Sequence, residues 1–285
     1  MPAAREPLAP PTGPQAPGAR PPVQAREIWE QWAFVVPFAG RVLALQGMHP
    51  TVSAGLQQHS RVFDEPWQRA WETISYGLEL LCGDTEAIAR RVRELHRPIS
   101  GIDHAGRRYH AWNREAWTWV HLSTFEATRY AAKAIGQRMT DSDEQRLYAE
   151  WKAAGRLLGV QDRDTPATLA AFEAYLAEMV AHRLMPTPTS TRLLALLSRE
   201  PPPPPWLPLP PPIWKLGQRP AGHVVRTALV GSFPAALRER HGLAWTVLDQ
   251  AQYDALLAAL KAVTLALPLR LRQIPAGWRT LPPQG

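Results

Sequence analysis

The chain has 285 residues, 45% hydrophobic and 20% charged, enough to build one large domain or two small ones around a sizeable core. Its formal net charge is +7, yet only four of the 32 basic residues are lysine (Lys133, Lys152, Lys215 and Lys261), and the other 28 are arginines scattered among acids. That distribution is a compositional bias and not a phosphate-tracking stripe with interleaved aromatics, so no nucleic-acid partner is expected.

A single cysteine, Cys82, excludes intrachain disulfides, zinc ribbons and thiolate clusters, and suits a reducing, cytoplasmic setting. The opening stretch MPAAREPLAPPTGPQAPGARPP has no apolar segment of signal-peptide type, and residues 1–26 read as a disordered Pro/Ala-rich tail. No run of 18 apolar residues occurs. The nearest, ALLAALKAVTLALPL at 255–269, carries Lys261 and reads as a buried helix, so no stable membrane span is expected.

In chain order, helical periodicity dominates and strand signals are nearly absent. A first helix is expected over 27–46, kinked or split at Pro37, and a short one over 51–60 after the punctuation at Met48-His49-Pro50. Asp64-Glu65-Pro66 marks the start of the next, which carries WQRAWETISYGLELL and stops at Gly83. Asp84 caps a helix that runs to His96 or Arg97, where Pro98 ends it, and 98–113 reads as a loop. Three long helices follow, at about 114–138, 141–158 and 165–184. The segment EPPPPPWLPLPPP at 200–212 reads as a rigid connector across the surface of one domain, though in isolation it could be a polyproline ligand for a partner. Helices are again expected over 222–231, 234–240 and 246–267, and no repeat of 20–50 residues is found. The fold class is all-α, a single multi-helix domain over 27–275 with eight to ten helices and a short tail at 276–285.

Several catalytic motifs are absent: the P-loop, the dinucleotide glycine fingerprint, the serine elbow, H-E-x-x-H and the paired E-x-x-H of di-iron bundles. What remains is histidine and arginine placed on helices. Ile88, Val92 and Leu95 form an apolar stripe, and His96 stands at its edge in the last turn. It reads either as a core or C-terminal capping histidine or as an imidazole turned into an apolar cavity, the arrangement by which a protein holds haem iron from one side. Arg69 and Thr73 lie one turn apart, and Trp67 and Trp71 flank Arg69, so a buried Arg69 needs a partner, a carboxylate in the ordinary case. Trp117, His121, Thr124, Phe125 and Thr128 share a face that is either a polar seam or a pocket wall, and the twelve tryptophans suit a core or a pocket for a flat apolar ligand. His49 reads as a turn-setting residue, and Cys82 as a buried small residue.

Taken in order, HPTVSAGLQQHS, RAWET, RVRELHRPISGIDHAGRRYHAW, WTWVHLSTFEA and YAEWKAAGRLLGV, with FPAALRERHGLAW and LPLRLRQIP later, resemble the catalytic domain of the MpaB-type oxygenases and rubber oxygenases (latex-clearing proteins). The resemblance covers about 27–275. It implies an all-α fold with a globin-like core, a b-type haem, His96 as the iron ligand, and Arg69 and Thr73 beside the haem. Arg93 matches a family arginine that serves a propionate or braces the helix. Thr73 and His121 become candidate catalytic hydrogen-bond groups, and the partners implied are dioxygen, a small apolar substrate and an unspecified electron donor. Glu72 stands where the rubber oxygenases have a lysine, which argues against rubber cleavage. The competing expectations are a helical carrier of haem or another apolar ligand without turnover, and an interaction protein built on 200–212.

Overall fold

The fold was analysed in a computed structural model that describes residues 24–199, 201–203 and 209–274. The expected tails at 1–23 and 275–285, and residues 200 and 204–208 of the proline segment, lie outside the described residues, as does the side chain of Cys82.

Local chemistry sets most helix ends. The elements up to the hairpin are α1 (Ala25–Trp29), α2 (Trp32–Gly47), α3 (Pro50–His59), α4 (Pro66–Cys82) and α5 (Thr85–His96). Asp84 Oδ1 accepts from Ala87 N at 3.0 Å and so caps α5, and His49 Nδ1 does the same for Val52 N at 3.5 Å before α3. Gly83 closes α4 as expected. Pro37 does not split its helix: α2 runs through it, at the loss of the one bond its missing N–H would make. The break falls earlier, at Glu30 and Gln31, for a reason no local signal carries. Gln31 bridges Gln273 in antiparallel fashion, and Ile274 N donates to Glu30 O at 2.7 Å.

The stretch read as a loop at 98–113 contains a small hairpin, β1 (Ser100–Ile102) and β2 (Arg108–His110), with Gly101 opposite Tyr109. Asp103 Oδ1 accepts from Ala105 N and Arg107 N to close the turn, and Gly106 takes φ +74° there. Three-residue strands are too short to show alternation. The chain continues through α6 (Arg114–Ala134), α7 (Asp141–Leu157) and α8 (Leu169–Glu178), the last ending in a π turn over Met179–Arg183. Thr140 and Asp143 form a capping box on α7, and Gly159 at φ +87° ends its turn. Then come α9 (Pro188–Arg199), α10 (Pro211–Gly231), α11 (Ala235–Arg240), α12 (Val247–Ala266) and α13 (Leu269–Arg272). Helix α10 starts well before the expected 222. Its first turn carries Trp214, whose indole N–H donates to Pro201 O at 3.1 Å.

Helix α2 packs along α6 at the centre, and the aromatic side chains between them form the core. Trp29 meets Phe34 and Phe38 at centroid distances of 5.1 and 4.6 Å, and Phe125 meets Phe172 edge-on at 5.0 Å. Helix α4 closes on this cluster only because residue 77 is glycine, since a Cβ there would lie 2.1 Å from the Trp29 ring. The all-α class and the single helical domain expected from the sequence are what the structure has, with thirteen α-helices among the described residues.

Candidate functional site

Helices α3, α4, α5 and α6 do not close completely on one another. Between them and the hairpin lies a cavity of about 400 Å³. Val52, Leu56, Val92, Leu95, Ile99 and Val120 give it an apolar wall, and Arg69, Glu72, Thr73, Tyr76, His96 and Thr124 bring polar groups to it. Tyr109 of β2 closes one end, its hydroxyl donating to Gln58 Oε1 at 3.0 Å.

His96 enters from the last turn of α5. Its Nδ1 lies 2.8 Å from the carbonyl of Val92, one turn back, and the bond requires the proton on Nδ1. That tautomer leaves Nε2 with a lone pair, and no hydrogen-bond partner for Nε2 occurs among the described residues. Burial, reinforced by the nearby Arg69 charge and opposed by the Val92 bond, holds the imidazole pKa below its ordinary value, so the ring is neutral. Trp117 of α6 meets the imidazole edge-on at a centroid distance of 5.1 Å.

Arg69 and Thr73 share one face of α4, as their spacing predicts. The guanidinium donates to Thr73 Oγ1, which in turn donates to Arg69 O at 3.1 Å. The carboxylate expected as its ordinary partner does not pair with it: Arg69 forms no ion pair among the described residues, and burial lowers its pKa against the weaker opposing influence of Glu72 and Tyr76. Glu72 turns its carboxylate instead towards Gln68 Nε2 at 3.3 Å and Arg61 at 3.9 Å.

The other expected residues go elsewhere. Arg93 donates to the carbonyl of Leu157 and braces α5 against the end of α7; it does not line the cavity. His121 does not line it either. Its Nε2 donates to Trp151 O at 3.0 Å, its ring stacks on Trp151 at 5.8 Å, and burial pushes its pKa down to about 4. The stripe on α6 splits: Trp117, Val120 and Thr124 face the cavity, while His121 and Phe125 face α7 and Thr128 accepts from Trp29 Nε1. His110 donates to Arg97 O at 3.1 Å on the surface. Tyr76, Tyr109 and Gln46 went unnoticed in the sequence. Gln46 reaches the cavity from the far end of α2, with Nε2 3.4 Å from Thr124 Oγ1.

No group of three His, Cys, Asp or Glu side chains able to hold a metal ion occurs among the described residues; the cavity receives the neutral imidazole of His96 near the half-buried Arg69 guanidinium, while His59, which also lines it, is bonded through Nε2 to Ser100 O at 3.0 Å. No described helix is long and apolar enough to cross a membrane. Comparison with protein families gives a match over residues 26–262, to the catalytic domain described as ER-bound oxygenase mpaB/B′ and rubber oxygenase. Comparisons with curated proteins and with solved structures gave no match.

Proposed function

Because the chain belongs to the family of mpaB/B′ and rubber oxygenase catalytic domains, we propose that it is a haem b-dependent oxygenase acting with dioxygen on a small apolar substrate. The observation that carries this reading is His96, neutral and oriented by Val92, with Nε2 unengaged at an apolar cavity. The residues present fit the group. Nδ1–H bonded to a backbone carbonyl is the usual support for an imidazole that ligates through Nε2. Arg69, a half-buried cation that forms no ion pair among the described residues, suits a propionate carboxylate.

Haem bound there would supply the activation of dioxygen and the oxidation itself; the protein supplies ligation, orientation and exclusion of water. Thr73 positions Arg69 by accepting from its guanidinium, which makes it an orienting residue for the charge and leaves less of its hydroxyl for substrate. Val52, Leu56, Ile99 and Val120 keep water from the reacting side and select an apolar molecule. Arg93 contributes by fixing α5, and His121 by packing α6 on α7. A cytoplasmic setting belongs to the same proposal and rests on the single cysteine.

The experiment is an absorption spectrum of the purified, haem-reconstituted protein. A Soret band that His96→Ala removes supports the reading, and a wild-type protein that stays colourless ends it. A second reading, a carrier without turnover, draws on Glu72 standing where the rubber oxygenases have a lysine. Oxygen uptake with a reductant and apolar candidate substrates separates the two.

A further inference from the structure

His96 is the first of three rings in a row. Trp117 meets it edge-on at 5.1 Å, and Trp112 lies over Trp117 at 5.5 Å with the planes only 6° apart. Trp112 is 39% exposed, so the row leads from the cavity to solvent. Both indoles are fixed on the end of α7. Trp117 Nε1 donates to Leu158 O at 3.1 Å, and Gly159, at φ +87°, turns the chain beneath Trp112. Packing alone does not call for a parallel pair of large rings that starts at the His96 imidazole and ends in water.

We infer that Trp117 and Trp112 are an electron relay between the His96 site and the surface, through which an over-oxidised bound group is discharged when no substrate is present. The inference rests on the proposed haem function. With hydrogen peroxide as oxidant, two electrons from the bound group and two protons convert peroxide to two waters. The group regains both electrons one at a time, each from Trp117, which regains it from Trp112, so the relay turns over twice per peroxide. Trp112 is left one electron short, releases its indole proton to water, and is restored by one electron and one proton from an external reductant of the ascorbate or thiol class. Without that reductant, loss of a second electron and addition of one water, with release of protons, leaves a hydroxylated ring. Indole suits the task because it gives up an electron more readily than the aliphatic side chains around it, and close ring stacking couples the two donors.

A second pair provides an internal control. Trp32 is 37% exposed and stacks on Trp71 at 6.3 Å, and neither lines the cavity. Haem-loaded protein is treated with a few equivalents of peroxide without substrate, and oxidised tryptophans are mapped by peptide mass spectrometry. The expected result is hydroxylation at Trp112 but not at Trp32. It should disappear in haem-free protein, fall at least several-fold in Trp117→Phe, and be suppressed by ascorbate. Trp112→Phe is the second variant, and its Soret band should bleach several-fold faster. A loaded protein in which Trp112 and Trp32 oxidise alike, or in which Trp117→Phe oxidises Trp112 as the wild type does, overturns the relay and leaves the haem reading standing. A protein that takes up no haem overturns both.

Discussion

The Val92 carbonyl, 2.8 Å from His96 Nδ1, decides which nitrogen of that imidazole is free. The bond is made inside a single turn of α5, so the imidazole is oriented before anything binds. His96→Ala should abolish the Soret band, and free imidazole added to the variant should restore it in part, a recovery that mere damage to the fold would not permit.

The same ring carries a pH expectation. Its pKa is lowered, chiefly by burial, so the neutral form persists to lower pH than for a free histidine of about 6.5. Haem uptake should therefore be retained as pH falls through that value and be lost only below it. A spectrophotometric titration checks this, and a midpoint at or above the free value would contradict the geometry.

Arg69 should behave in opposite ways in the two forms of the protein. Arg69→Met removes a half-buried charge that forms no ion pair among the described residues, so the haem-free protein should be as stable as the wild type or more stable by denaturant melts. Haem affinity should drop about 10- to 100-fold, the value of a charge-assisted bond of roughly 1.5–3 kcal/mol. A loss of stability without loss of affinity would assign Arg69 to the fold instead.

His121 makes stability depend on pH. Its folded pKa of about 4 lies below the unfolded value, so below about 6.5 the unfolded chain takes up the proton more readily than the folded one. The stability is fully present at neutral pH, is lost progressively as pH falls through the window between those values, and totals about 3 kcal/mol. Paired urea melts of wild type and His121→Gln at pH 7 and pH 4.5 isolate it, because the variant should lack that part of the slope.

The pair Arg41–Glu126, both buried between α2 and α6, should be costly to halve. Arg41 Nε donates to Glu126 Oε2 at 2.7 Å, and the guanidinium also reaches Ser232 O. Arg41→Met strands the Glu126 carboxylate and should destabilise by about 3–5 kcal/mol, and adding Glu126→Gln should return much of it. Denaturation of the single and double variants measures the coupling.

Much of α4 and α5 was legible because their ends are written in adjacent residues: Pro66, Gly83, Asp84 and Pro98 each act within one turn. The spacing of Arg69 and Thr73 likewise required no fold to interpret. The break at Glu30 and Gln31 was illegible because its cause, Gln273, is remote in sequence. The direction of His121 was hidden for a different reason. Helix α6 is covered on several sides, so the pattern of apolar and polar residues does not say which side meets a cavity and which meets α7. That the Thr73 hydroxyl is spent on its own neighbour is a matter of rotamers, which spacing does not carry.

The bridge between Gln31 and Gln273 gives the molecule a clasp. Two segments that are far apart along the chain hold one another, and Trp29, the aromatic hub of the core, sits two residues from the catch. Fraying at either end of the described segment therefore pulls on the other. Peeling away the last described residues also loosens α1, and peeling α1 exposes the ring on which α4 rests at Gly77. A cut at residue 272 should thus be felt at the distant Arg69 cavity through α4, as a less protected set of amides in that helix on hydrogen exchange.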